Sequence, residues 1–311
     1  MHPTRPAASV FSAALLSTGL LLLAAACGGP ADEMEQSSAT QYRIGLALCM
    51  SCDTPFFVSL IDGAAEAADR LGVELVTVCA EEDDSLQVLQ LRRMADQDID
   101  LLLLNPVNFS VCPAVEDLAA GGIPVFTIDR GIRSDRIICH IASDNRSGGQ
   151  MAGDYLAEAL HRRGEVVEIR GTDGSSAAQE RGAGFRDAIS SHPDLRVVEC
   201  IHGQFSRQVA RERFAEVLAS HESIQGVFAH NDDMALGALE AAHQAGKTNL
   251  MVVGFDAIEE AILAVDRGEM LATVAQRPAE MGRIGVETAV DYLQGNDVPD
   301  SIEVDLALII R

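Results

Sequence analysis

The feature that most constrains this chain is a regular alternation along residues 42–311. Short, mainly apolar runs take turns with stretches of about 10–15 residues whose apolar positions recur at helical spacing. A strand with one face in water alternates apolar and polar residues. A strand covered on both faces reads as a continuous apolar run, and parallel sheets are covered in that way. The predicted strands are Tyr42–Leu48, Val73–Val78, Ile99–Leu104, Pro124–Ile128 and Ile137–Ile141, then Glu165–Arg170, Leu195–Cys200, Ile224–Ala229, Leu250–Val253 and Ala272–Gln276. Between them the spacing predicts helices over Pro55–Leu71, Ser85–Ala95, Val111–Ala120, Gly148–Leu160, Ala177–Ser190, Arg207–Ser220, Met234–Ala245, Ala257–Arg267 and Ala279–Leu293. Gly72, Gly121-Gly122 and Gly246 supply stop signals. The apolar run Ile137–Ile141 ends at Ser143-Asp144-Asn145, which reads as a crossing between two lobes. The expected fold class is α/β, with two doubly wound parallel-sheet lobes. Open sheets of this kind hold ligands beyond the carboxyl ends of their strands. The residues just after each strand are therefore the candidates for function.

The 311 residues are 48% hydrophobic and 23% charged, enough for two domains with sizeable cores. The formal net charge of −24 argues against a nucleic-acid partner, whose phosphates need a basic face, and against a polybasic membrane patch. Trp is absent and Tyr is scarce, so extensive aromatic stacking is not expected.

Arg5 followed by the apolar stretch Val10–Ala26 reads as an export signal rather than a lasting membrane span. Leu23-Ala24-Ala25-Ala26-Cys27 resembles a bacterial lipobox, with Ala24 where Leu is usual. The expectation is a lipoprotein signal peptide over residues 1–26 and a lipid anchor on Cys27; simple secretion with a free thiol is the alternative. Residues 27–41 are polar, acidic and rich in small residues, as a flexible tether should be. An exported protein sits where disulfides persist. Cys27 aside, six of the seven cysteines remain, and their pairing cannot be read from spacing. Cys139 and Cys200 sit in apolar runs and read as buried thiols.

The stretch Ile123–Asn145 carries the clearest chemistry. Asp129 and Arg130 follow a strand side by side; the first offers only acceptors and the second only donors. A polyhydroxylated ligand needs both, although a surface ion pair in a loop would look the same. Asn105, after LLLL, offers donors and an acceptor, or shapes the turn before Pro106. The acidic cluster Asn231-Asp232-Asp233 reads equally as a helix N-cap. Cys49-x-x-Cys52 between a strand and a helix has the spacing of a thioredoxin-type redox site; a local disulfide or free thiols are the plainer readings. Zinc is not expected, because no second pair of ligands completes four. Gly182-x-Gly184 lacks a third glycine and lies inside a helix, which excludes a dinucleotide fingerprint. Paired carboxylates occur in glycosidases, but here each Asp has an Arg or amide companion expected to hold it ionised. No nucleophile elbow or phosphate-binding loop is present.

Several of these motifs resemble the periplasmic ribose-binding proteins of sugar transporters. They are PFFVSL at 55–60, TIDR at 127–130, HIASDN at 140–145, SSAAQERGAGF at 175–185 and NDDMALG at 231–237, and similar matches recur over nearly all of 42–311. The resemblance implies a type I periplasmic binding protein: a first lobe of residues 42–144 and 277–303, a second of 145–276 and 304–311, and a multi-crossing hinge. It implies a monomeric, non-enzymatic protein without cofactor or metal, which binds a monosaccharide and hands it to an ABC transporter permease. Ribose or a related pentose is the expected ligand. A sugar or autoinducer input for a chemoreceptor or sensor kinase is the alternative, with a CxxC oxidoreductase as the rival from another class. The implied sugar-binding residues are Phe56, Phe57, Asn105, Asp129, Arg130, Arg181, Phe205, Asn231, Phe255, Asp256 and Gln276. Asp232 or Asp233 would then cap the helix after Asn231. The first loop departs from the family. It is one residue longer, and Cys49 and Thr54 stand where the family places a Ser and an Asn that bond the sugar.

Overall fold

The computed structural model describes residues 42–311. The signal segment, the tether and Cys27 lie outside the described residues.

The first half builds β1 (Arg43–Leu48), α1 (Pro55–Leu71), β2 (Glu74–Cys79), α2 (Asp84–Ala95), β3 (Leu101–Leu104), α3 (Cys112–Ala120), β4 (Val125–Ile128) and β5 (Ile137–Ala142). A 3-10 turn over Phe109–Val111 precedes α3. The second half builds α4 (Asn145–Ala159), β6 (Arg163–Arg170), α5 (Ser176–Ser190), β7 (Asp194–His202), α6 (Arg207–Ser220), β8 (Ile224–Ala229), α7 (Asp232–Gln244), β9 (Met251–Asp256), α8 (Glu259–Asp266) and β10 (Ala272–Ala275). The chain closes with α9 (Pro278–Leu293), β11 (Ser301–Glu303) and β12 (Ala307–Ile310).

Two six-stranded sheets result, ordered β11-β5-β4-β3-β1-β2 and β12-β10-β9-β8-β6-β7. All pairings are parallel except β12 on β10, as the continuous apolar runs predict. In both sheets the winding reverses beside the first strand, between β1 and β3 and between β6 and β8. That reversal opens a crevice at the carboxyl ends, where ligands of doubly wound sheets sit. The chain passes between the sheets after β5, after β10 and between β11 and β12.

Each sheet is covered on both faces. Leu46, Phe126 and Ile128 meet α1 and α9 on one face of the first sheet, while Leu102, Leu104 and Val125 meet α2 and α3 on the other. In the second sheet Val167 and Val252 pack with Phe214 and Leu239, and Phe228 and Val253 with Leu156 and Phe185. The glycines in SSAAQERGAGF serve this packing. A Cβ on Gly184 would collide with the carbonyl of Arg146, and one on Gly149 with that of Arg181. The close approach of α4 and α5 thus requires glycine at both positions, and it fixes where Arg181 stands.

The short last strands have no counterpart among the predicted elements. β11 and β12 are three and four residues long, with exposed and half-buried positions only; β11 is mostly polar, and β12, although apolar throughout as ALII, is a short edge strand at the chain end. Helix starts shift for a different reason. Asp144 accepts from the Ser147 amide at 2.9 Å, so α4 begins at Asn145, three residues before its predicted start at Gly148.

Candidate ligand-binding site

The strand ends of both sheets face one cleft. Asp129 and Arg130 follow β4 and are 5% and 3% exposed, which removes the reading of a surface ion pair. Asp129 has φ 60°, a left-handed conformation that non-glycine residues hold only when their surroundings over-determine it. Asn105 does this from behind: its Nδ2 donates to Asp129 Oδ2 at 2.8 Å and to the Ile128 carbonyl at 2.9 Å. Asp129 Oδ1 is buried with no protein partner.

Arg130 does not pair with its neighbour Asp129. Its Nη2 donates to Glu82 Oε1 at 3.0 Å and its Nη1 to the Val107 carbonyl at 3.2 Å. Its guanidinium lies 4.6 Å from the centroid of the Phe205 ring, which comes from the other lobe. Gly171 makes room for that ring, since a Cβ there would run into it.

In the second lobe Arg181 Nε donates to Asn145 Oδ1 at 2.7 Å and Nη1 to the His230 carbonyl at 2.6 Å. His230 is fully buried against Glu168, with Nε2 3.1 Å from Oε1, and burial pushes its pKa down to about 4. Arg181 stacks on Phe255 at 3.8 Å and lies 3.6 Å from Asp256 Oδ1, which also accepts from Gln276 Nε2 at 2.8 Å. Gln276 Oε1 is buried with no protein partner. Asp256 thus has the Arg and amide companions expected of it. Burial pushes its carboxyl up to about 7, and Arg181 and Gln276 oppose this without cancelling it.

The cleft between the strand ends holds a small cavity of about 40 Å3. Of the predicted residues, Thr54, Phe56, Phe57, Asp129, Arg130, Arg181, Phe205, Asn231, Asp256 and Gln276 line it. Phe56 and Phe57 form one wall, edge to face at 5.2 Å, and Phe205 belongs to the other lobe.

Three predicted residues stand behind this lining. Asn105 is fully buried, and both hydrogens of its amide are spent on Ile128 and Asp129. Phe255 is covered by the Arg181 guanidinium. Cys49 is fully buried, and burial holds its thiol well above its ordinary pKa. The next residue, Met50, lines the cleft instead.

Asn231 both lines the cleft and caps α7: its Oδ1 accepts from the Met234 amide at 3.0 Å, and its Nδ2 donates to the Phe205 carbonyl at 3.4 Å. This corrects the expectation that Asp232 or Asp233 supplies the cap. Asp232 is buried and accepts from Thr273 Oγ1 at 2.7 Å and the Ile258 amide at 2.9 Å. Asp233 pairs with Arg207.

The CxxC reading is also corrected. Cys52 pairs with Cys79, not Cys49. The register Leu48↔Cys79 between β1 and β2 brings the two loops together. With Cys49 buried and its thiol raised, and Cys52 bonded elsewhere, this motif supplies no pair of reactive thiols for redox catalysis. Cys139 is buried and free as expected, whereas Cys200 is exposed, on the edge strand β7. Pro55, Ala177 and Asp233 also line the cleft, inside motifs read for other residues; Met50, Ile258 and, on the groove outside, Glu82 escape the sequence reading. None of the last three sits in a recognisable motif, and each takes its place from a loop conformation.

Comparison with known proteins agrees with this architecture. The periplasmic binding protein domain family matches residues 44–297. The ribose import binding protein RbsB of Escherichia coli (strain K12) is 40% identical over 268 residues, 86% of this chain and 90% of its own. Its counterpart in Bacillus subtilis (strain 168) is 37% identical over 298 residues, 94% of this chain and 96% of its own. Among solved structures, the fructose-binding periplasmic domain of a hybrid two-component system superposes with a TM-score of 0.84 at 31% identity, covering 87% of this chain and 91% of that one. An ABC transporter solute-binding protein from Actinobacillus succinogenes 130z with bound D-allose gives 0.81 at 26% identity, covering 87% and 98%. The chain belongs to the periplasmic binding protein family.

Proposed function

We propose that this protein is the solute-binding component of a sugar ABC importer, and that it takes an aldopentose, ribose first, into the cleft between its lobes. The family consists of substrate-binding proteins rather than enzymes. The observation that carries the sugar reading is the balance of donors and acceptors in the cleft. Asp129 Oδ1 in one lobe and Gln276 Oε1 in the other are buried acceptors without a protein partner. The guanidiniums of Arg130 and Arg181 add donors, and Phe56, Phe57 and Phe205 offer apolar faces to the C–H surface of a sugar ring. Hydroxyls, which give and take hydrogen bonds, match that mixture. Because both lobes line the cleft, a ligand there has differential affinity for the closed form and drives closure about the hinge.

The pentose is supported by the ribose import binding proteins at 37–40% identity. The neighbours that bind fructose and D-allose mark the breadth of sugars this fold accepts. In this reading the protein is exported, anchored to the membrane through lipid on Cys27 and monomeric, with the closed form recognised by a permease. A sensory role is the second reading, favoured by the similarity to the periplasmic domain of a two-component system. Genes neighbouring this one decide between permease and sensor. Thermal-shift screening of the delipidated protein against pentoses and hexoses tests the ligand: ribose is expected to give the largest rise in Tm, and no shift with any sugar would overturn the reading.

A further inference from the structure

Arg130 is held by a carboxylate that also reaches the other lobe. Glu82, in the loop after β2, accepts from Arg130 Nη2 through Oε1 at 3.0 Å and from Thr172 Oγ1 through Oε2 at 2.8 Å. Arg130 follows β4 in the first lobe, and Thr172 follows β6 in the second. One carboxylate thus ties a cleft-lining guanidinium to the opposite lobe, beside the place where Arg130 lies over Phe205. Glu82 does not line the ligand cavity itself; its side chain is 23% exposed on the groove outside.

The loop is built to hold that carboxylate. Glu81 and Glu82 both have left-handed backbones, φ 53° and 60°, and the Glu82 amide donates to the Cys49 carbonyl at 2.7 Å. The Cys52–Cys79 disulfide fastens the start of the loop to the segment between β1 and α1, which presents Met50 and Thr54 to the cleft. Two covalently joined loops of the first lobe therefore contribute the wall of the cleft and the reach across it.

We propose that Glu82 is a closure latch, a positioning residue that slows ligand release without touching the ligand. The bond to Arg130 lies within one lobe and survives opening. The bond to Thr172 joins two lobes and exists only when they are shut. It therefore adds to the stability of the closed form alone, and whatever stabilises the binding-competent closed form raises apparent affinity. The effect appears in dissociation, because the ligand leaves after the latch breaks, while capture by the open form precedes its formation.

The inference rests on the reading of the cleft as a sugar site, so D-ribose is the probe and the wild-type protein the control. Stopped-flow fluorescence or surface plasmon resonance gives kon and koff for the wild type, Thr172→Val, Glu82→Ala and the double variant. Thr172→Val is half-buried and near-isosteric, so it leaves the fold in place. It is expected to raise koff roughly tenfold, the weight of one hydrogen bond to a charged acceptor, with kon within about twofold. Glu82→Ala should raise koff further, because it also frees Arg130. The double variant should match Glu82→Ala alone, since the shared bond is lost once only. A Thr172→Val protein with wild-type koff, or effects of the two substitutions that simply multiply, would overturn the latch while leaving the sugar site standing. A wild-type protein that binds no monosaccharide would overturn both.

Discussion

Asn105 aims Asp129 at the cleft without entering it: the amide nitrogen of the first donates to one carboxylate oxygen of the second at 2.8 Å, and the other oxygen is left without a protein partner. The same amide donates to the Ile128 carbonyl, so the strand end and the carboxylate are fixed together. Behind Asn105, Gln87 donates to its carbonyl at 2.9 Å and accepts from the Val107 amide at 2.8 Å. The acceptor offered to the ligand is therefore the tip of a buried network, preorganised before binding.

Asn105→Ala should weaken ligand binding roughly tenfold although the residue has no surface in the cleft, because Asp129 loses one charge-assisted hydrogen bond and its fixed orientation. Asn105→Asp should be worse, since it sets a second carboxylate against the first. Titration calorimetry on both variants checks this; wild-type affinity in Asn105→Ala would show that Asp129 is held by something else.

Binding should strengthen as pH rises toward 7. Burial holds the Asp256 carboxyl at about 7 in the ligand-free protein. A sugar hydroxyl donating to the ionised form favours that form and lowers the pKa on binding. Below about pH 7 a proton must leave as the ligand enters, so affinity should fall by up to about tenfold per pH unit. Calorimetry between pH 5.5 and 8, in buffers of differing ionisation heat, reads both the trend and the proton released. Asp256→Asn, which does not titrate, should flatten the profile. A Kd independent of pH in the wild type would contradict the assignment.

What could be read from the sequence follows from how local each signal is. The bounds of α1 are legible because Pro55 opens it and Gly72, at φ 68°, closes it. The paired strands are legible because burial on both faces enriches them in Leu, Val and Ile, most plainly in the LLLL of β3. The same logic points to Asp129 and Arg130 just after β4, whereas Asp256 at the end of β9 and Gln276 after β10 are legible through the resemblance to the ribose-binding proteins. The logic fails where position depends on a turn. Cys49 and Met50 are neighbours, and only the loop geometry decides that the thiol goes into the core and the thioether into the cleft. Glu82 owes its reach to two consecutive left-handed residues that no apolar pattern announces. Asn105 is a strand-end residue by sequence, yet its hydrogens are spent inside the fold.

Loss of the Cys52–Cys79 bond should destabilise the protein by about 3.5 kcal/mol, the chain-entropy effect of closing a loop of this size; the two cysteines are 27 residues apart. A Cys52→Ser, Cys79→Ser variant should unfold at lower denaturant than the wild type, and added dithiothreitol should lower the wild-type midpoint but not the variant's. Equal midpoints under oxidising conditions would mean the bond contributes nothing to stability.

In the proposed function, Asp129 and its partners hold a pentose in the cleft. Isothermal titration calorimetry of D-ribose into the wild type and Asp129→Ala tests it most directly. A charged acceptor contributes roughly 1.5–3 kcal/mol, about ten- to more than a hundredfold in affinity. One-to-one binding by the wild type, weakened by that factor in Asp129→Ala, is the predicted result. Absence of heat with ribose and with every other monosaccharide tried, or equal affinity in the two proteins, would contradict the account.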